Sequence, residues 1–318
     1  MKRSIALVPF LLTGCGRYAE FTLQPLSGPQ GKVDATWSVR PDPVMARDKW
    51  VDLLNPSVVA REGSFFNVYS AYDGKVWHSG LAISTDGITW KDQGIFLSPE
   101  EGDYIAANGS ALNGRYWYQT GRVPQIRLAT QRDGKWTRHP EPVLTPGPRG
   151  SWDERGVADP YVIRQHDTYY MYFLGQDRAR RQRLGVARST DGMRWEKLRS
   201  NPILELGGPK TFDEIGLGEP AIWSQHGSYW MLYTGRDRFE NRRLGLARSS
   251  DGTHWARVTD KPVLEGSQRW DSKVVCDPSV MVQGNVVRVW FGGGDKAEPA
   301  ENLNGQIGYA ELTLTIRQ

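Results

Sequence analysis

Hydrophobic positions along this chain fall in short runs. Segments such as Thr168 to Leu174 (TYYMYFL) and Ser228 to Thr234 (SYWMLYT) are rich in aromatic and apolar side chains, and polar or glycine-containing turns bound each of them. Asp-Gly pairs recur shortly before a tryptophan: Asp86-Gly87 before Trp90, Asp191-Gly192 before Trp195, Asp251-Gly252 before Trp255. Glycine accepts the positive φ that a tight hairpin needs, so each pair predicts a turn between strands. The pattern predicts an all-β chain of short strands.

The pattern also repeats. Asp159-Pro160-Tyr161-Val162 aligns with Glu219-Pro220-Ala221-Ile222 at an offset of 60 residues. After each come an aromatic run, an Arg-rich loop, and then Leu-Gly-Val-Ala-Arg-Ser-Thr-Asp-Gly or Leu-Gly-Leu-Ala-Arg-Ser-Ser-Asp-Gly. Weaker copies start at Asn55-Pro56-Ser57-Val58, Asn108-Gly109-Ser110 and Asp277-Pro278-Ser279-Val280. Four strands per repeat, five times over, predict a five-bladed β-propeller with four-stranded blades. The fifth copy ends at its third strand, while Thr36 to Val44 resembles Thr253 to Val263. The N-terminal segment is therefore expected to supply the outer strand of the last blade and to remove an open sheet edge.

The first residues read differently. Lys2 and Arg3 precede the apolar run Ile5 to Leu12, the layout of a secretory signal peptide. Leu12-Thr13-Gly14-Cys15 resembles a bacterial lipobox, which implies cleavage before Cys15 and lipidation of its thiol; an ordinary signal peptide with a chance cysteine is the alternative. The expected organisation is a lipoprotein signal peptide over 1–15, a tether over 16–35 and the propeller over 36–318. The mature protein would then sit in the cell envelope, on the outer membrane or the periplasmic side, folded in water and held by its lipid.

Composition narrows the function. No apolar run reaches the length of a membrane span, which excludes a polytopic membrane protein. Hydrophobic residues make up 39% and charged residues 24%, enough to build a core. Two Cys exclude a disulfide-dense scaffold, and a net charge of +4 argues for no nucleic-acid partner. No phosphate-binding or dinucleotide fingerprint occurs. Five His give little material for a metal centre. No cofactor is expected, with a structural calcium or sodium ion left open, and the chain is expected to be a monomer. Cys276, in Val274-Val275-Cys276, reads as a buried small hydrophobe.

In a propeller the innermost strand of each blade lines a central channel. Asn55, Asn108, Asp159, Glu219 and Asp277 are thus expected to ring its mouth, where three carboxylates would repel one another and raise at least one pKa. On these residues, from about Thr36 to about Thr313, the chain resembles the five-bladed propellers of glycoside hydrolase family 43 and of families 32, 62, 68 and 117. The resemblance implies a glycosidase acting on an oligo- or polysaccharide, with Glu219 as general acid and Asp159 as its pKa modulator. It also implies an Asp as general base in the first copy, where this chain has Asn55, and an amide takes no proton from water. Asp52 or Asp277 could replace that base, or the mechanism could differ, or catalysis could be lost. Asp52 could equally brace a loop, as Asp153, Asp213 and Asp271 are expected to do after Trp152, Phe212 and Trp270.

Further candidates stand on the same face. The loops between second and third strands carry Arg178, Arg180, Arg181 and Arg183 in the third copy and Arg236, Arg238, Arg242 and Arg243 in the fourth. Arg122, Arg183 and Arg243 are candidates for binding an acidic or sulfated saccharide, against a solvated rim neutralised by Asp177, Asp237 and Glu240. Trp77 could stack on a sugar ring, and His78, with no partner at ligand spacing, reads as a hydrogen-bonding residue or substrate contact. Two other readings stay open: a carbohydrate-binding or polysaccharide-assembly lipoprotein on a degenerate glycosidase propeller, and a protein-interaction propeller.

Overall fold

The computed structural model describes residues 18–317; the expected signal peptide and lipobox, with Cys15, lie outside the described residues. Five antiparallel four-stranded units follow in order. Blade one comprises Asp52–Arg61, Ser64–Tyr72, Trp77–Ser84 and Lys91–Leu97. Blade two comprises Ala106–Leu112, Arg115–Thr120, Gln125–Arg132 and Lys135–Arg138. Blade three comprises Gly156–Gln165, Thr168–Gln176, Gln182–Ser189 and Glu196–Leu198. Blade four comprises Gly216–Gln225, Ser228–Arg236, Arg242–Ser249 and Ala256–Arg257. Blade five takes Val274–Gln283, Val286–Gly294 and Gln306–Arg317 from the C-terminal end of the chain. Its outer strand is Lys32–Val39, antiparallel to Gln306–Arg317 with Trp37 opposite Leu312. The first strand of each blade packs on those of the blades to either side, and the fifth returns to the first, so the ring is closed.

Apolar side chains from neighbouring blades interleave, and this is where the core sits. Trp117, Trp230 and Trp290 occupy equivalent middle strands and are fully buried. The Asp-Gly turns are tied into this packing. Asp86 accepts the backbone N–H groups of Ile88 (2.8 Å) and Thr89 (2.7 Å), and Asp191 and Asp251 do the same in blades three and four. The turns then present a carbonyl to the blade before. Trp117 Nε1 donates to Gly192 (2.8 Å), Trp290 Nε1 to Gly87 (2.6 Å) and Tyr172 Oη to Gly252 (2.8 Å). A local turn motif thus becomes an interblade clasp.

The expected tether is not one. From Tyr18 the segment is docked on the blades: Tyr18–Ala19 pairs in parallel with Lys197–Leu198, and Leu23 and Leu26 donate backbone hydrogen bonds to Asp251 and Ser250 (2.8 Å each). Phe21 and Leu23 are buried in the core shared by blades three and four. The reason lies in composition: apolar residues at 21, 23 and 26 give this stretch a face to bury, which a solvated linker lacks. The propeller strand also begins at Lys32, ahead of the expected boundary at residue 36.

Candidate active site

Each inner strand carries the same irregularity. The ladder slips between Leu54 and Ser57, Ala107 and Ser110, Ala158 and Tyr161, Gly218 and Ala221, and Cys276 and Ser279. Inside each slip sits one residue with positive φ: Asn55 (49°), Asn108 (50°), Asp159 (47°), Glu219 (44°) and Asp277 (52°). Four are followed by proline and one by glycine, residues suited to a bulge where no ladder bond is made. Asn and Asp tolerate the left-handed region, but Glu does so poorly, at a cost of about 1–2 kcal/mol. Repeated backbone strain of this kind is characteristic of functional sites. Its effect here is to direct five polar side chains into one space.

That space is a cavity of about 230 Å³ lined by all five, together with Trp77, Tyr104, Gln119, Gln176, Gln182, Arg236, Arg242 and the Pro299–Glu301 loop. It is smaller than drug-sized pockets of roughly 300–1,000 Å³, a compartment for one small polar ring rather than a long cleft. Asn55 Nδ2 donates to Asp277 Oδ1 (2.7 Å), and Asn108 Nδ2 donates to Asp159 Oδ1 (3.3 Å). Glu219 Oε2 and Asn108 Oδ1 are shielded from solvent and have no hydrogen-bond partner.

Withdrawal from water raises the pKa of Asp159 well above the carboxylate range, and the charges of Glu219 and Asp277 raise it further; Asn108 and Arg242 pull the other way. Asp277 is raised by the same burial and by Glu219, against Cys276, Arg242 and Asn55. Burial and mutual repulsion thus favour the protonated forms of Asp159 and Asp277, and the two titrate together. Such an arrangement can donate a proton to one oxygen and take one from another.

Two arginines, Arg242 buried and Arg236 half-buried, stand in the same wall. Arg242 donates to the carbonyls of Glu298 (3.1 Å) and Pro299 (3.0 Å), and among the described residues no carboxylate forms a salt bridge with it. Arg236 donates to Pro299 (3.2 Å) and lies 3.3 Å from Glu240. Both support the blade-five loop over the cavity mouth, opposite Tyr104. That loop was not anticipated; the long stretch Asp295 to Gly305 between two clear strands is the signal that marks it.

The remaining sequence candidates fall elsewhere. Asp52 is fully buried outside the cavity, and its two oxygens accept the backbone N–H groups of Asn302 (2.6 Å) and Gly305 (2.7 Å). It braces the blade-five loop and does not line the cavity, so it stands away from any bound sugar. Asp153, Asp213 and Asp271 brace their own loops, through Lys197, through Arg257 (2.8 Å) and through the Gln268 N–H (2.7 Å). Trp77 lines the cavity but is stacked on Tyr72 at 5.1 Å and mostly covered. His78 contacts Ser98 (2.9 Å) and Asp73 (3.2 Å) and does not line the cavity. Arg122 donates to the Gly102 carbonyl (3.1 Å). Arg183 is paired with Asp177 and Glu205 (3.2 Å each), and Arg243 with Glu265 (3.1 Å). None of the three lines the cavity: nearby carboxylates capture Arg183 and Arg243 at the rim, and the Gly102 carbonyl holds Arg122; Arg236 and Arg242 occupy the position expected of them. Among the described residues no group of three or more His, Cys, Asp or Glu side chains is disposed to hold a metal ion.

The sequence model described as "Glycosyl hydrolases family 32 N-terminal domain" matches residues 64–205. The chain is 30% identical over 162 residues to uncharacterized protein Rv1502 of Mycobacterium tuberculosis (strain ATCC 25618 / H37Rv), covering 48% of this chain and 52% of that one. It is 30% identical over 140 residues to a 1,2-β-oligomannan phosphorylase of Thermoanaerobacter sp. (strain X514), covering 40% and 46%. It thus spans about half the length of the curated relatives it matches. Among solved structures it resembles the GH32 β-fructofuranosidase BmSUC1 of Bombyx mori at TM-score 0.61 and 17% identity, over 86% of this chain and 61% of that one. It resembles Zg3597, a family 117 glycoside hydrolase of the marine bacterium Zobellia galactanivorans, at TM-score 0.63 and 14% identity, over 89% and 92%. The chain has the fold of the β-propeller glycoside hydrolases.

Proposed function

We propose that this protein cleaves a glycosidic bond in an oligo- or polysaccharide, with Glu219 handing a proton to the departing oxygen and Asp159 tuning and orienting beside it. The observation that carries this reading is the unpartnered Oε2 of Glu219, which lines the cavity with Asp159, whose carboxyl burial pushes toward its protonated form. A structural plug would satisfy that oxygen, since an unpaired buried acceptor costs about 1–3 kcal/mol. The small cavity favours taking in one terminal sugar. The lipobox-like leader supports an extracytoplasmic, lipid-anchored enzyme acting on glycans of the envelope or its surroundings.

The test is a screen of residues 17–318 against neutral and acidic glycans, with Glu219→Gln as control. Sugar release that vanishes in the variant supports the reading. Binding by both proteins with no release from any glycan would instead make this a carbohydrate-binding lipoprotein.

A second reading has its own support. Asn55 stands where a water-activating carboxylate is expected, Arg236 and Arg242 put two guanidinium groups in the cavity wall, and one relative is a 1,2-β-oligomannan phosphorylase. Phosphate is a nucleophile that needs cations to hold it and no base to activate it. Sugar phosphate formed only when inorganic phosphate is supplied would favour phosphorolysis.

A further inference from the structure

Asn55 does more than occupy a vacated position. Its Nδ2 reaches the inner strand of the neighbouring blade five and donates to Asp277 Oδ1 at 2.7 Å. The thiol of Cys276 donates to the other oxygen, Oδ2, at 2.9 Å. The backbone N–H of Asp277 is held by Thr234 Oγ1 at 3.2 Å. Gly292 leaves the room this needs, because a Cβ there would lie 2.9 Å from Asp277 Oδ2 and 2.7 Å from Leu54.

We propose that Asp277 of blade five is the water-activating base of this site, and that Asn55 and Cys276 are the positioning residues that hold it for that role. The assignment rests on the hydrolytic reading above. An amide N–H and a thiol S–H on opposite oxygens favour the ionised carboxylate, which accepts both. Glu219 is the complement: it lines the same cavity, and its Oε2 has no hydrogen-bond partner. The charged and titratable groups that bear on Asp277 are Glu219 and Asp159, which repel its charge, Arg242, which attracts it, and the Cys276 thiol. Asp52, the other carboxylate near the first-blade position, lies outside the cavity, bound to the Asn302 and Gly305 N–H groups, whereas Asp277 lines it.

The step balances without a cofactor. The water oxygen bonds to the anomeric carbon as Asp277 takes a water proton. The glycosidic C–O bond breaks, and the Glu219 proton goes to the leaving oxygen. One water is consumed, and solvent exchange resets the two carboxyl groups.

The experiment is turnover of a responsive glycan in phosphate-free buffer by the mature chain, with Glu219→Gln, Asp277→Asn, Cys276→Ala and Cys276→Ser alongside. Asp277→Asn should lose about 10²–10⁴-fold in kcat. In Asp277→Gly, formate or azide, which can enter the space the side chain leaves and act as a base, should restore part of the activity. Cys276→Ala should move the acidic limb of kcat/KM upward by about half to one pH unit, because losing a donor to the charged form raises that pKa. Cys276→Ser, which keeps a donor, should bring the limb back. This pair of variants decides the matter even if Asp277→Asn does not fold. Turnover lost in Glu219→Gln but kept within threefold in Asp277→Asn, or a limb unmoved by Cys276→Ala, overturns the assignment alone. No turnover by the unaltered chain removes the proposed function and this assignment together.

Discussion

Replacing Asp277 with Asn should make the folded protein more stable, and more so as pH rises. Burial and the charge of Glu219 raise the Asp277 carboxyl from 3.8 to about 7. The folded state therefore holds that proton more tightly than the unfolded chain. Stability contributed by the proton is complete below about pH 4, declines as the unfolded chain ionises, and is gone once pH passes the folded value near 7. At about 1.4 kcal/mol per tenfold in proton affinity, ionising Asp277 costs the fold on the order of 4 kcal/mol at pH 8. Asn keeps the shape and still accepts from Asn55, but it never carries the charge. At about 2 °C per kcal/mol for a chain of this size, Asp277→Asn should melt about 5 °C or more above the unaltered protein at pH 8, with little difference at pH 4. Differential scanning calorimetry across pH 4 to 8 reads this directly. A variant that melts lower than the unaltered protein at pH 8, or a gap that does not grow with pH, would refute the picture of carboxyls held against their own repulsion.

Other perturbations separate bracing from chemistry. Asp52→Ala strands two buried N–H groups and should cost about 2–4 kcal/mol in urea unfolding, while turnover per folded molecule changes little. Leu23→Ala should cost about 2–5 kcal/mol although it lies outside the blades, because its side chain is buried in the core between blades three and four; a neutral effect would restore the tether. Trp117→Phe keeps the ring but removes the donor to Gly192, and should cost about 1 kcal/mol with no change in any active-site pH profile. Arg242→Met should raise KM for a phosphate-dependent reaction far more than for a hydrolytic one, measured as initial rate against phosphate concentration.

Much of the fold was legible because it is written locally. A short aromatic strand, an Asp-Gly turn and a following tryptophan are short-range features, and each is copied often enough for the copies to be aligned. The closing strand was legible for the same reason, since Thr36 to Val39 repeats a motif missing after Ala310. Five channel residues could be named from their register alone, and the cavity contains all five.

Only the tertiary structure decided what those residues do to one another. Whether Asp52 is an acid or a brace depends on backbone N–H groups some 250 positions away in the chain, which no local pattern announces. The arginines divide in the same way. Arg183 and Arg243 are taken by Asp177, Glu205 and Glu265, whereas Arg236 and Arg242 reach the cavity, although all four border the equivalent loops of blades three and four. The docking of Phe21 and Leu23 depends on a groove that exists only once blades three and four are adjacent. Strand and turn follow from the preferences of neighbouring residues. Proton affinity, ion pairing and burial follow from distances across the ring, and ring closure alone sets those.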